Sequence, residues 1–232
     1  MIILITGTSR GIGRALGEHL AQSGHTILGC SRRAQRIQIE GSRHFQVDLI
    51  SPDQVKQMFR KIKEEYGYID ALINNAGTSS MNPFMLTPDS EIERLFRINV
   101  FAVFCCSREA VKLIRHSKHE SPSIINLSSV AVPWSIPGQS VYAASKIAIE
   151  QMARTLSREL AEMNIRVNTI GLPPMRTALT RSVKSSQIET LIGRQAIKRM
   201  CTIRDILGPI EFLLSPASRF VTGSTLYLGG VR

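Results

Sequence analysis

The sequence predicts an α/β fold: a doubly wound sheet of about seven parallel strands with helices on both faces. Short apolar runs alternate with segments of period-3.6 apolar spacing from one end of the chain to the other. A glycine-rich turn separates the first run from the first helical pattern, and no linker, repeat or low-complexity tract interrupts the alternation.

The strand-like segments are 1–6, 25–30, 43–48, 69–75, 122–128, 165–171 and 224–228. Repeated strand–helix alternation is what a parallel sheet buried on both faces requires. The helical patterns span 11–23, 51–66, 88–116, 139–163 and 203–214. The 88–116 pattern is long for one helix, so either a bend or a single long helix is expected there. Residues 172–202 depart from the alternation. Pro173-Pro174 stop any regular element, and the rest is polar, basic and poor in apolar periodicity. An insertion there, between a strand and the last helix, is where a mobile substrate lid would sit.

At 232 residues, 43% apolar and 20% charged, the chain reads as one globular domain, 1–232, and not as a disordered or fibrous protein. No run approaches the ~18 apolar residues of a membrane span. The chain opens on the strand-like Met1-Ile2-Ile3-Leu4-Ile5, so no leader is expected. Cys30, Cys105, Cys106 and Cys201 form no CxxC pair and read as small buried hydrophobes in a reducing, cytoplasmic setting. The histidines (His19, His25, His44, His116, His119) show no metal-ligand spacing, so no metal is expected.

The net charge of +11 sits in two patches. Residues 10–43 carry six arginines against Glu18 and Glu40. Residues 164–204 carry Arg166, Arg176, Arg181, Lys184, Arg194, Lys198, Arg199 and Arg204 against Glu189 alone. Two basic patches point to acidic partners, or to a merely solvated basic surface. No nucleic-acid-binding pattern accompanies them.

Residues 6–13 read Thr6-Gly7-Thr8-Ser9-Arg10-Gly11-Ile12-Gly13, after a strand and opening a helix. Gly7 permits the tight turn, Gly11 lets the backbone approach a pyrophosphate, and Gly13 allows close helix packing. The helix N-terminus supplies free N–H groups to the phosphates. This is the glycine turn of a Rossmann-type dinucleotide site. The second strand ends in Cys30-Ser31-Arg32-Arg33, without the acid that binds the ribose hydroxyls of NAD. Guanidinium groups pair with a 2′-phosphate, so NADP is expected over NAD, with Arg10 also in reach. Asp48 either hydrogen-bonds the adenine edge or caps the following turn.

Tyr142 and Lys146, four apart on a predicted helix, share a face. An ammonium beside a phenol lowers its pKa and makes Tyr142 a usable general acid. Ser129, at a strand end, could bind the same substrate oxygen.

In this order, Thr6-to-Gly13, Val47-Asp48-Leu49, Asn74-Asn75-Ala76-Gly77, Asn99, Ser129, Tyr142-to-Lys146, Arg166-Val167-Asn168 and Thr177 resemble the motifs of the short-chain dehydrogenase/reductases. The resemblance covers essentially the whole chain and is to the compact type that includes the 3-oxoacyl-acyl-carrier-protein reductases and related carbonyl reductases. It implies that Tyr142 protonates a carbonyl oxygen, Lys146 lowers the Tyr142 pKa and binds the nicotinamide ribose, and Ser129 orients the carbonyl. It implies that Asn99 holds a helix kink and a proton-relaying water, that Asn74 through Gly77 line the adenosine ribose and stabilise the sheet, and that Asp48 and Leu49 frame the adenine. Thr177 would contact the carboxamide or the phosphates.

The chain departs from the family pattern at Leu172-Pro173-Pro174, where a Pro-Gly turn is usual, at Ala178, where an acid is common, and at Gly229-Gly230-Val231 near the C-terminus. The expected function is NADPH-dependent reduction of a ketone, foremost a 3-oxoacyl thioester on an acidic acyl-carrier protein or coenzyme A, as in fatty acid biosynthesis. Small ketones, quinones or steroids are alternative substrates, and a nucleotide-binding regulatory or scaffold protein is the alternative class. The resemblance also implies a homo-oligomer, a tetramer or dimer.

Overall fold

A computed structural model describes residues 1–34, 42–176 and 185–230. The chain runs β1 (Ile2–Thr6), α1 (Gly11–Gln22), β2 (Thr26–Ser31), β3 (Ser42–Gln46), α2 (Pro52–Tyr66), β4 (Ala71–Asn74) and α3 (Asp89–Phe96). It continues through α4 (Ala102–Ile114), β5 (Ser123–Ser129), α5 (Ala131–Trp134), α6 (Ser140–Glu159), β6 (Arg166–Leu172), α7 (Ser185–Arg194), α8 (Ile203–Leu214) and β7 (Thr225–Tyr227). The seven strands form one sheet in the order β3-β2-β1-β4-β5-β6-β7, and every pairing is parallel. The predicted fold is the observed one.

Alternation along each strand explains both faces. Leu4, Leu28, Leu72, Ile124 and Val167 point to one side, where α2, α4 and α6 cover them. Ile3, Ile5, Ile27, Ile73, Ile125 and Ile170 point to the other, under α1 and α8. Burial on both faces is why the strands read as continuous apolar runs. The strand order reverses between β1 and β4, so their carboxyl ends open a crevice.

Of the two forms expected for the 88–116 pattern, the structure shows the bend, at a π-helical turn spanning Arg97–Phe101. Elsewhere it departs from the sequence expectations. β3 stops at Gln46, because the Asp48 N–H turns away to Gln54 Oε1 at 2.9 Å. The short helix α5 was not expected. Nor was α7, within the segment read as irregular: its Ile188, Leu191 and Ile192 do have helical spacing, but no residue of it is buried. The two ends of the 172–202 segment are tied together, with Cys201 N–H donating to the Pro174 carbonyl at 3.1 Å. Leu172-Pro173-Pro174 stays packed, with both prolines buried.

Candidate active site

The glycine turn closes over β1. Gly7 has φ +78, and a Cβ on Gly13 would lie 2.4 Å from the Gly7 carbonyl oxygen. That contact, not packing on a strand, is what Gly13 permits. Gly11 has φ +59 with open space beside it, as a backbone that must receive a ligand requires. Arg10 precedes α1 without capping it, which leaves the first N–H groups of the helix for an anion. Ser9 and Ile12 lie half-buried within the turn.

Asn75 braces this turn. Its amide donates to the Thr6 and Gly7 carbonyls at 2.8 and 3.3 Å. The N–H groups of Asn75 and Ala76 both donate to Thr6 Oγ1, at 3.0 and 2.9 Å. The side chain of Asn75 therefore shapes the loop from behind. Asn74 lies deeper and donates to Asn126 Oδ1 at 2.9 Å and Ser107 Oγ at 3.0 Å, joining β4 to β5 and α4.

At the far end of the crevice, Arg32, Gln46, Val47, Asp48 and Gln54 line a cleft of about 350 Å³. Arg32 and Arg33 are exposed there. Ser31 is buried, and its hydroxyl donates to the Arg33 carbonyl at 2.6 Å and meets His44 Nε2 at 2.9 Å. It therefore positions the arginine-bearing loop through its own bonds. Asp48 Oδ1 accepts from the Ile50 N–H at 3.3 Å, the turn-capping role weighed from sequence, while its side chain also borders the cleft. The Leu49 side chain is buried in the core with Val47 and Val55, which leaves its backbone for any contact with an adenine. Thr177 lies outside the described residues.

Four residues meet at the carboxyl ends of β4 and β5. The hydroxyl of Ser129 faces that of Tyr142 closely enough to act on its pKa. Ser129 Oγ also accepts from the Ala131 N–H at 3.1 Å. Lys146 is buried, donates to the Leu127 carbonyl at 2.7 Å, and holds its Nζ 5.9 Å from the Tyr142 ring centre. Asn99 sits in the π-helical turn, fully buried. Its amide donates to the Thr78 carbonyl at 2.9 Å and Ser145 Oγ at 3.0 Å, and its Oδ1 accepts from the Thr78 N–H at 2.9 Å. The kink expected of Asn99 is present, since the wider turn lets its side chain reach the 77–78 loop. Gly77 keeps the approach open: a Cβ there would meet Asn99 Oδ1 at 3.1 Å and Lys146 Nζ at 3.5 Å.

The electrostatics correct one expectation. Burial pushes the Lys146 ammonium down to about 8, opposed by the charge of Glu150. Burial likewise raises the Tyr142 phenol above its ordinary value, and the neighbouring Ser129 hydroxyl opposes that. Lys146 does not lower Tyr142 here, because its ammonium points past the ring to a backbone carbonyl. The phenol is therefore held in its proton-donating form at neutral pH.

Among the described residues, no group of three His, Cys, Asp or Glu side chains is placed to hold a metal ion, and no helix is long and apolar enough to cross a membrane.

A family model described as enoyl-(acyl carrier protein) reductase matches residues 7–230. The chain belongs to the short-chain dehydrogenase/reductase family. It is an oxidoreductase of that family, using a nicotinamide nucleotide. It is 29% identical to the 3-oxoacyl-acyl-carrier-protein reductase of Escherichia coli (strain K12), over 99% of this chain and 96% of that one. It is 30% identical to the same enzyme of Staphylococcus epidermidis, over 98% and 96%. Among solved structures it is similar to 4-hydroxyisoleucine dehydrogenase complexed with NADH, with a TM-score of 0.87 and 28% identity over 99% and 97% of the two chains. It is also similar to the ligand-free aldohexose dehydrogenase of Thermoplasma acidophilum, with a TM-score of 0.89 and 28% identity over 99% and 93%.

Sequence reasoning missed several residues of the site. Thr6 and Ser145 lay inside quoted motifs as ordinary hydroxyls, and only the fold shows what they bond. Glu150 had one available signal, an acid spaced four from Lys146 and eight from Tyr142 on a face that helical periodicity buries. The basic stretch is also revised. Arg166 is buried and donates to Ser121 Oγ and the Leu213 carbonyl at 2.8 and 2.7 Å. Arg194 donates to the Trp134 carbonyl at 3.0 Å, and Arg199 pairs with Asp205 at 2.6 Å. Trp134 is buried under that Arg194 contact.

Proposed function

We propose that the protein is an NADPH-dependent ketone reductase acting on 3-oxoacyl thioesters. The Ser129 hydroxyl facing that of Tyr142, beside a buried Lys146, carries this reading. Two hydroxyls converging on one point suit a carbonyl oxygen that acquires a proton.

When bound, the reduced dinucleotide supplies the hydride. The uncapped N-terminus of α1 and the open face of Gly11 fit its pyrophosphate, and the exposed Arg10, Arg32 and Arg33 fit a 2′-phosphate. Ser129 donates a hydrogen bond to the substrate carbonyl oxygen and fixes it beside Tyr142. Tyr142 delivers its phenolic proton to that oxygen, which leaves an alcohol and a phenolate. Lys146, with its proton labile near pH 8, is the buried acid on the same helix from which the phenolate regains a proton. Asn99 holds Ser145, and so the first turn of α6, in register with the 77–78 loop.

The thioester assignment is favoured by the 3-oxoacyl-acyl-carrier-protein reductases among the relatives and by the exposed Arg176, Lys198 and Arg204 near the segment proposed as a lid. Exposed Phe101, Phe104 and Ile147 favour assembly into a homo-oligomer. The test is a substrate panel, run with NADPH and NADH side by side. It should show NADPH oxidation with an acetoacetyl thioester, faster than with simple ketones, quinones, steroids or sugars. Dinucleotide binding without turnover on any of them would replace this reading with that of a regulatory protein.

A further inference from the structure

A second buried cluster lies directly behind the catalytic face of α6. Glu150 is 1% exposed and follows Lys146 by one helical turn. Its carboxylate accepts hydrogen bonds from Ser128 Oγ at 2.5 Å and from the Tyr227 hydroxyl at 2.7 and 2.8 Å. Arg154 stands 3.8 Å away on the same helix. An acceptor of two hydroxyl donors facing a guanidinium is arranged to carry a negative charge.

Sheet register explains how three strands reach one carboxylate. Ser128 of β5 pairs with Gly171 of β6, and Gly171 pairs with Tyr227 of β7. The three stand in one row across the sheet. A Cβ on Gly171 would lie 2.1 Å from the Tyr227 ring, so only glycine lets that ring cross β6 and bring its hydroxyl to Glu150. A dedicated path has thus been built for a carboxylate that a purely structural interior has no use for, since burying a charge is costly unless something needs it.

We propose that Glu150 is a positioning residue of the catalytic site, anchored by Ser128 and Tyr227, which keeps Lys146 in its ammonium form and fixes α6 against the strand end that carries Ser129. Ser128 adjoins Ser129, and the Leu127 carbonyl that receives Lys146 is the next residue back. One carboxylate therefore ties both halves of the site together. The titratable and charged groups facing the Glu150–Lys146 pair are Tyr142 and Arg154 from α6 and Tyr227 from β7. Ser128 and the Leu127 carbonyl from β5, and Asn99 beside Gly77, face it as neutral groups. With burial driving the ammonium to deprotonate, Glu150 supplies the opposing charge.

The test is the titration of Lys146, followed by NMR in protein carrying isotope-labelled lysine and assigned with Lys146→Arg. In Glu150→Gln, which keeps the shape and can still accept hydroxyl bonds, the Lys146 midpoint should fall by about one pH unit. An unchanged midpoint overturns the proposal. If Glu150→Gln does not fold, Arg154→Gln at its half-exposed position takes its place. The carboxylate then acts on Lys146 without a competing cation and the midpoint should rise, whereas no movement is again a refutation. The kinetic arm rests on the ketone reductase reading: the alkaline limb of kcat/KM should shift with the lysine. Wild-type protein that reduces no ketone while its Lys146 midpoint responds to Glu150 would defeat that reading and leave the role of Glu150 supported.

Discussion

The amide of Asn99 reaches the hydroxyl of Ser145 across 3.0 Å, and Ser145 donates in turn to the Tyr142 carbonyl at 2.7 Å. A residue of the widened turn before α4 thereby fixes the turn of α6 that presents Tyr142. Asn99→Ala would leave the Thr78 N–H, the Thr78 carbonyl and Ser145 Oγ without this partner. Buried groups left unsatisfied cost about 1–3 kcal/mol each, and partial relaxation brings the expected loss to roughly 2–4 kcal/mol. Urea unfolding measures it, and kcat should fall as well. An unfolding midpoint equal to wild type would show that the bridge holds nothing.

Tyr142→Phe removes the proton donor and keeps the ring. General acid catalysis is typically worth ~10²–10⁴ in rate, so ketone reduction should fall by about that factor. Dinucleotide affinity should be nearly unchanged, since the phosphate end of the crevice is untouched. Normal turnover in the Phe variant would place the proton donor elsewhere.

How far such residues can be read from sequence depends on how local their partners are. Ile3 and Ile5 announce a strand and Leu4 its second buried face, so the sheet was legible from runs of a few residues. The Tyr142–Lys146 spacing is a helical repeat, equally local. Arg166 read as one more positive charge on a basic surface, because Ser121 and the Leu213 carbonyl that hold it lie 45 and 47 residues away. Leu49 sits in a motif yet turns into the core, which only the end of β3 decides. Glu150 gave no sign of its row of partners, since Ser128, Gly171 and Tyr227 meet only once three strands are in register. The helix α7 was hidden because it buries no residue and so lacks a full apolar stripe.

Lys146 should weaken the fold that it serves. Its pKa is about 8 in the folded chain against an ordinary 10.5. Below pH 8 both folded and unfolded states hold the proton, and the cost of burying the charge is felt in full. Between 8 and 10.5 the unfolded chain binds the proton more tightly, so this group's contribution to stability rises with pH. A shift of this size corresponds to roughly 3 kcal/mol, and the lost bond to Leu127 offsets about 1 kcal/mol of it. Lys146→Met should therefore stabilise the ligand-free protein by about 2 kcal/mol at pH 7, with the gain shrinking as pH approaches 10. Denaturant unfolding at the two pH values checks this, and a gain that grew with pH would reverse the sign of the account.

Arg32→Asp replaces an exposed cation beside the cleft with an anion. Loss of one charge-assisted phosphate contact costs roughly 1.5–3 kcal/mol, so NADPH affinity should drop by about one to two decades. NADH affinity should change far less, because it has no 2′-phosphate to repel. Equal losses for both cofactors, by fluorescence titration, would take Arg32 out of the phosphate site.

If the basic segment recruits an acidic carrier, only its outward groups can do so. Arg166 is buried, Arg194 is engaged with the Trp134 carbonyl and Arg199 with Asp205. Arg176, Lys198 and Arg204 are exposed, with the Lys198 ammonium also donating to the Gly193 carbonyl. Reversing Lys198 and Arg204 to Glu should raise KM for a carrier-bound substrate by up to about tenfold, since exposed charge pairs contribute a fraction of a kcal/mol each and reversal adds repulsion. A short uncharged thioester should be reduced as before, because Ser129, Tyr142 and Lys146 are untouched. The carrier reaction should also weaken with added salt, as charges at the surface are screened over ~10 Å at 0.1 M. Arg166→Glu gives no such information: a reversed charge at a buried position that donates to Ser121 and Leu213 destabilises the fold and lowers activity toward both substrates. A double variant that treats the carrier-bound and free thioesters alike, at low and high salt, would mean that these cations only keep the segment solvated.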